Sequence, residues 1–223
     1  VEKKIEPCLK VSILLPLTWE HVSKHFMLAL VGLVRSGERA GFECNLILSS
    51  QGYTDDNRDL LTKIALMQKA DYLFHIDADQ TYPANSIGKL IEWLEANNED
   101  VIGGITPIRT NPNMPLTFKF GDESIGEKYW VPVNTPVMSG VQKVDGMGFG
   151  GIMTTARVYE KIGGHPWFKR MGKEADAYGS QQLGEDVTFY KKCRDAGVAV
   201  WCDTDLRNGH VVTGVFMMEA PRA

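Results

Sequence analysis

Apolar positions along this chain follow two periods in turn. Residues 10–15 (KVSILL) form a short apolar run stopped by Pro16, the pattern of a strand buried on both faces. Across residues 21–41, Phe26, Leu30 and Leu33 fall on one helical stripe. Residues 44–49 (CNLILS) predict a second strand, 51–55 a polar loop, and 57–70 a helix turning Leu60, Leu61, Ile64 and Met67 inward. Residues 71–76 (DYLFHI) read as a third strand. After Pro83, Ile87, Leu90, Ile91 and Leu94 recur at i, i+3, i+4 and i+7, and residues 101–105 form a fourth strand before Pro107.

Such repeated strand–helix units predict an α/β fold with a mostly parallel central sheet flanked by helices. The second half is less regular. Short strands are expected at 116–120 and 129–133, a glycine-rich turn at 148–151, and a short helix over 154–162. A polar, glycine-containing loop spans 169–183. A helix over 185–196 is closed by Gly197, and residues 198–202 (VAVWC) read as a last strand.

Composition narrows the functional classes. With 43 % hydrophobic and 23 % charged residues the 223-residue chain reads as an ordinary globular protein. A formal charge of -4 provides no basic stripe, so nucleic acid is not an expected partner. No apolar run approaches the roughly 18 residues of a membrane span, and no signal-peptide pattern is visible. Cys8, Cys44, Cys193 and Cys202 form neither a CxxC pair nor a zinc spacing, so reduced thiols and a soluble, cytoplasmic protein are expected.

Three polar features carry candidate chemistry. Asp77 and Asp79 follow the third strand directly, and in an open parallel sheet ligands bind outside the strand carboxyl ends. Carboxylate oxygens there suit Mg²⁺ or Mn²⁺, although a DxD at a strand end also reads as a solvated turn. Glu185 and Asp186 open a predicted helix, where the dipole favours carboxylates whatever their function; a carboxylate so placed can also act as general base toward a hydroxyl. His210 follows Arg207-Asn208-Gly209 beyond the last predicted strand.

The segment ADYLFHIDADQTYPANSIGKLIEWL resembles the DxD region of GT-A glycosyltransferases, especially family-2-like enzymes, and GEDVTFYKKCRDAGVAVWCD is similar to the Glu-Asp helix and following strand of inverting members. The resemblance spans about residues 10–212. It implies a single Rossmann-like GT-A domain, with residues 1–105 as the nucleotide-sugar half and 106–215 as the acceptor half. It also implies a UDP- or GDP-sugar donor, a carbohydrate or other hydroxyl acceptor, and Mn²⁺ or Mg²⁺ as cofactor. By correspondence Asp77 contacts the nucleoside, Asp79 and His210 ligate the metal, Asp186 is the base and Glu185 helps hold the acceptor. Thr18 after the first strand, Gln51 and Arg58 after the second, and Asp145 and Gly150 around the glycine-rich turn are the further expected donor contacts. An Arg58 that caps its helix, and Trp167 and Phe168 as core rather than sugar-stacking residues, are equally compatible with the pattern. Missing from the sequence is the Gln-x-x-Arg-Trp signature of processive synthases, which favours single-sugar transfer. A haloacid-dehalogenase-like phosphohydrolase with Asp77 as nucleophile also fits Asp77-Ala78-Asp79-Gln80-Thr81, but its motif belongs after a first strand. A non-catalytic nucleotide-sugar-binding module is the other alternative.

Overall fold

The computed structural model describes residues 8–18, 21–109, 111–121, 131–132, 139–170, 184–211 and 215–217. The first half runs β1 (Lys10–Pro16), α1 (Lys24–Arg39), β2 (Glu43–Ser49), α2 (Thr54–Met67), β3 (Tyr72–His75), a two-residue β4 (Gln80–Thr81), α3 (Ser86–Asn97) and β5 (Val101–Ile105). The second half holds β6 (Pro107–Ile108), β7 (Asn111–Pro115), β8 (Thr117–Lys119), β9 (Val131–Pro132), β10 (Val141–Val144), β11 (Gly146–Met147) and β12 (Ile152–Thr155). It continues with α4 (Val158–Lys161), α5 (Glu185–Asp195), β13 (Val200–Arg207), β14 (Gly209–Val211) and β15 (Val215–Met217).

Seven strands form one sheet in the order β10-β13-β5-β12-β3-β1-β2. β1, β2, β3, β5 and β13 run in one direction, while β12 and β10 run against them. Both faces are covered, and the side-chain alternation within each strand shows how. Val11, Ile13 and Leu15 of β1 and Tyr72 and Phe74 of β3 pack with Phe26, Leu30 and Leu33 of α1 and Ile87, Leu90, Ile91 and Leu94 of α3. Leu14 and Leu73, pointing the other way, join Leu61 and Ala65 of α2, Tyr159 of α4, and Val187, Phe189 and Tyr190 of α5.

Several sequence expectations need correction. Thr154 and Thr155 lie on β12, not in a helix; the helix is confined to Val158–Lys161. β12 is fully buried between β3 and β5, so its four residues carry no polar alternation to mark them as a strand. β13 extends to Arg207, and β14 and β15 follow it, so the run at 198–202 is not the last strand. On α2, Leu60 and Met67 face outward, and the buried face is Asn57, Arg58, Asp59, Leu61, Thr62 and Ala65. Most of the 169–183 loop and all but two residues of the 129–133 strand lie outside the described residues.

Candidate active site

The carboxyl ends of β1 and β3 and the first turns of α2 and α5 surround a cleft with two lobes. The narrower lobe, about 190 Å³, is lined by Pro16, Thr18, Thr54, Arg58, Asp77, Ala78, Asp79 and Glu185. The wider lobe, about 300 Å³, shares Arg58, Asp77, Asp79 and Glu185 with it and adds Gln80, Arg109, Phe149, Asp186 and His210 among others. The four shared residues form the waist between the lobes.

Arg58 is the centre of this waist. Its guanidinium donates to Asp77 Oδ1 at 2.6 Å, and its Nε lies 3.7 Å from Glu185 Oε1. Burial opposes the charge, yet Asp77 and Glu185 outweigh it and hold the group more firmly protonated than usual. The guanidinium carbon sits 5.1 Å from the centre of the Phe149 ring, a cation–π contact on the floor of the cleft. Among the described residues its buried Nη1 has no hydrogen-bond partner. Arg170 also reaches Glu185, at 3.9 Å.

Tyr82, which the sequence reading passed over, fixes the backbone of the acidic turn. Its hydroxyl accepts from the Asp77 N–H at 2.7 Å and donates to the Asp77 carbonyl at 3.2 Å. Gly150 then closes against the same turn. A Cβ at position 150 would lie 2.5 Å from the Gln80 amide and 2.6 Å from Asp77 Oδ2, so any larger residue would displace one of these side chains.

Asp79 and His210 come together through a short antiparallel pairing. β14 pairs with β4, placing His210 opposite Gln80, and the Val211 N–H donates to the Asp79 carbonyl at 2.7 Å. His210 Nδ1 lies 2.7 Å from the Pro107 carbonyl oxygen. A carbonyl only accepts, so Nδ1 carries the proton, and Nε2 is the nitrogen left to meet a ligand. Asp79 is paired with Arg109. Burial, then Asp77, pushes its carboxyl above the usual range, against the pull of Arg109 and His210. Among the described residues no group of three or more His, Cys, Asp or Glu is assembled to hold a metal.

Glu185 and Asp186 occupy the first turn of α5. Asp186 Oδ1 accepts from the Val187 N–H at 2.8 Å. Burial, reinforced by neighbouring Glu185, raises its pKa to about 6 despite that hydrogen bond.

The remaining expected residues divide. Thr18 lines the narrower lobe, and Gly150 lines neither but packs against Asp77 and Gln80. Gln51 is exposed and lines neither lobe. Asp145 accepts from the Phe120 N–H at 2.9 Å and lines a separate cavity beside Tyr190 and Arg194. Trp167 and Phe168 are core: their N–H groups donate to Asp59, and Phe168 stacks on Phe189. Thr54, Gln80 and Arg109 line the cleft without having been expected there, and Tyr82 holds its acidic turn from behind. The only sequence signal for Arg109 is a cation just past Pro107 at the end of a strand.

No family model and no curated protein sequence matches this chain. Many solved structures are similar to it, A197 from STIV and GalNAc-T7 among them. A197 from STIV superposes with a TM-score of 0.62 at 16% identity, over 96% of this chain and 97% of A197. GalNAc-T7 with UDP, GalNAc and Mn²⁺ superposes with a TM-score of 0.59 at 11% identity, over 93% of this chain but 44% of the GalNAc-T7 chain. The chain thus spans less than half the length of GalNAc-T7. At these identities the likeness speaks to fold: a mixed α/β domain with a seven-stranded, mostly parallel sheet flanked by helices, structurally similar to a GT-A glycosyltransferase.

Proposed function

We propose that this protein transfers a single sugar from a UDP- or GDP-sugar to a hydroxyl acceptor, with Mn²⁺ or Mg²⁺ as cofactor and inversion at the anomeric carbon. One observation carries the reading. Asp77, Asp79, Glu185, Asp186 and His210, from three separate stretches of chain, line one cavity outside the carboxyl ends of parallel strands. The fold likeness to GalNAc-T7, whose structure contains UDP, GalNAc and Mn²⁺, supports it.

The donor set fits a divalent ion. Asp79 offers carboxylate oxygen and His210 offers Nε2, and an ion held by two side chains takes its other ligands from substrate phosphates and water. When bound, such an ion offsets the charge that builds on the leaving diphosphate. The narrower lobe, with Thr18, Arg58 and Asp77, takes the nucleoside. Gly150 lets the chain close behind Asp77 and so supports the turn that faces the donor sugar. The acceptor enters the wider lobe, residues 1–105 forming the nucleotide side and 106–215 the acceptor side. Asp186 accepts the proton of the acceptor hydroxyl as that oxygen bonds to the anomeric carbon. The bond from that carbon to the diphosphate oxygen breaks, and the nucleoside diphosphate leaves. A base with a pKa near 6 is matched to work at neutral pH.

A phosphohydrolase using Asp77 as nucleophile has weaker support, because Arg58 and Gln80 both engage that carboxylate and the motif follows β3. The test is release of nucleoside diphosphate from a panel of UDP- and GDP-sugars in Mn²⁺. Release with at least one donor, lost in EDTA and in Asp79→Ala, is expected. Undiminished release by EDTA-treated protein contradicts the proposal.

A further inference from the structure

The hairpin of β6 and β7 pairs Ile108 with Asn111, so Arg109 stands at its tip. This hairpin touches both residues assigned to the cation. Through Pro107 it accepts the proton on His210 Nδ1, and through Arg109 it pairs with Asp79. The Arg109 side chain is 51% exposed, so it keeps an open path away from Asp79, whereas Arg58 is enclosed at 3%. The cleft wall collects four carboxylates, Asp77, Asp79, Glu185 and Asp186, around these two arginines.

Resting on the metal-dependent reading above, we infer that Arg109 is a built-in counter-ion for Asp79, released when a divalent cation binds and then available to the donor diphosphate. Arg109 occupies Asp79 Oδ2, and a cation held by this carboxylate repels the guanidinium beside it, so the two compete. The ligand-free protein keeps a partly buried carboxylate paired by holding Arg109 on it. Once released, Arg109 lines the wider lobe beside Asp79, and a guanidinium fork matches phosphate oxygens. The hairpin thereby links cation binding to diphosphate capture: metal affinity is low without the nucleotide and rises with it.

The experiment measures Mn²⁺ binding to wild-type and Arg109→Ala protein by loss of the free-ion EPR signal, then pyrophosphate binding to each Mn²⁺-loaded protein by calorimetry. Pyrophosphate avoids any assumption about the nucleotide base. Arg109→Ala is expected to bind Mn²⁺ about tenfold more tightly, since a competing state has been removed, and pyrophosphate about tenfold more weakly. Arg109→Lys, which keeps the charge, returns Mn²⁺ affinity toward wild type. A general structural defect would weaken Mn²⁺ binding, not tighten it. Unchanged or weaker Mn²⁺ binding by Arg109→Ala, with wild type binding normally, overturns this inference and leaves the proposed function standing. Absence of Mn²⁺ binding in every protein, with and without pyrophosphate, overturns both.

Discussion

Helices α2 and α3 lie on opposite faces of the same sheet and obey different rules. α3 buries Ile87, Leu90, Ile91 and Leu94 in one apolar stripe. α2 buries Asn57, Arg58, Asp59 and Thr62 beside Leu61 and Ala65. Each of the first three polar residues has a partner elsewhere in the chain. Asn57 accepts from Ser49 at the end of β2, Arg58 pairs with Asp77, and Asp59 accepts the N–H groups of Trp167 and Phe168. α3 therefore holds the sheet by hydrophobic burial, while α2 holds the cleft by polar contacts that only a correctly assembled site can satisfy.

Substitutions should separate the two faces. Asp186→Asn, in the cleft that α2 supports, is expected to lower turnover by about 10²–10⁴-fold. Because burial raises the Asp186 pKa from 3.8 to about 6, the folded state binds that proton more tightly than the unfolded chain does. The charged carboxylate thus detracts from stability as pH rises through this window, and Asp186→Asn should raise the melting temperature at pH 8 while removing activity. The wild-type rate should fall as pH drops below about 6, where the base is protonated. Melting curves and a pH–rate profile check these points.

Arg58→Met on α2 leaves Asp77 without its guanidinium and Glu185 with Arg170 alone. The expected loss is about 3 kcal/mol of unfolding free energy at pH 7, with a loss of UDP or GDP affinity in the folded protein. Leu90→Ala on α3 should cost a similar amount, about 3 kcal/mol, with no dependence on pH and with pyrophosphate affinity of the folded protein unchanged. Denaturant titrations and calorimetry with these ligands compare the two; unchanged UDP and GDP affinity in Arg58→Met would erase the distinction. The smallest effect belongs to Gln51→Ala, expected within about 0.5 kcal/mol of wild type in stability and without effect on nucleotide binding.

The same contrast explains what the sequence made legible. α3, β5 and the repeated strand–helix order stand out because burial and periodicity agree there. On α2 they disagree: its outward Leu60 and Met67 imitate a core stripe, while its true inner face is polar and pairs with residues distant in sequence. β12 escaped for the opposite reason, being buried on every side and too short to show a period. Asp77, Asp79, Glu185, Asp186 and His210 do converge, since strand ends and helix starts leave local signals. Gln51 and Asp145 had only proximity in sequence to recommend them, and their side chains face elsewhere. Arg109 and Tyr82 act through a hairpin tip and a backbone clamp, which no periodicity reveals.

The most direct test of the account is pulsed EPR of Mn²⁺ bound to the protein with UDP or GDP. Phosphorus coupling from the diphosphate together with nitrogen coupling from one imidazole is predicted, the nitrogen signal disappearing in His210→Ala. Phosphorus coupling with no nitrogen signal in the wild-type protein would contradict the assignment of His210 and Asp79 to one shared cation.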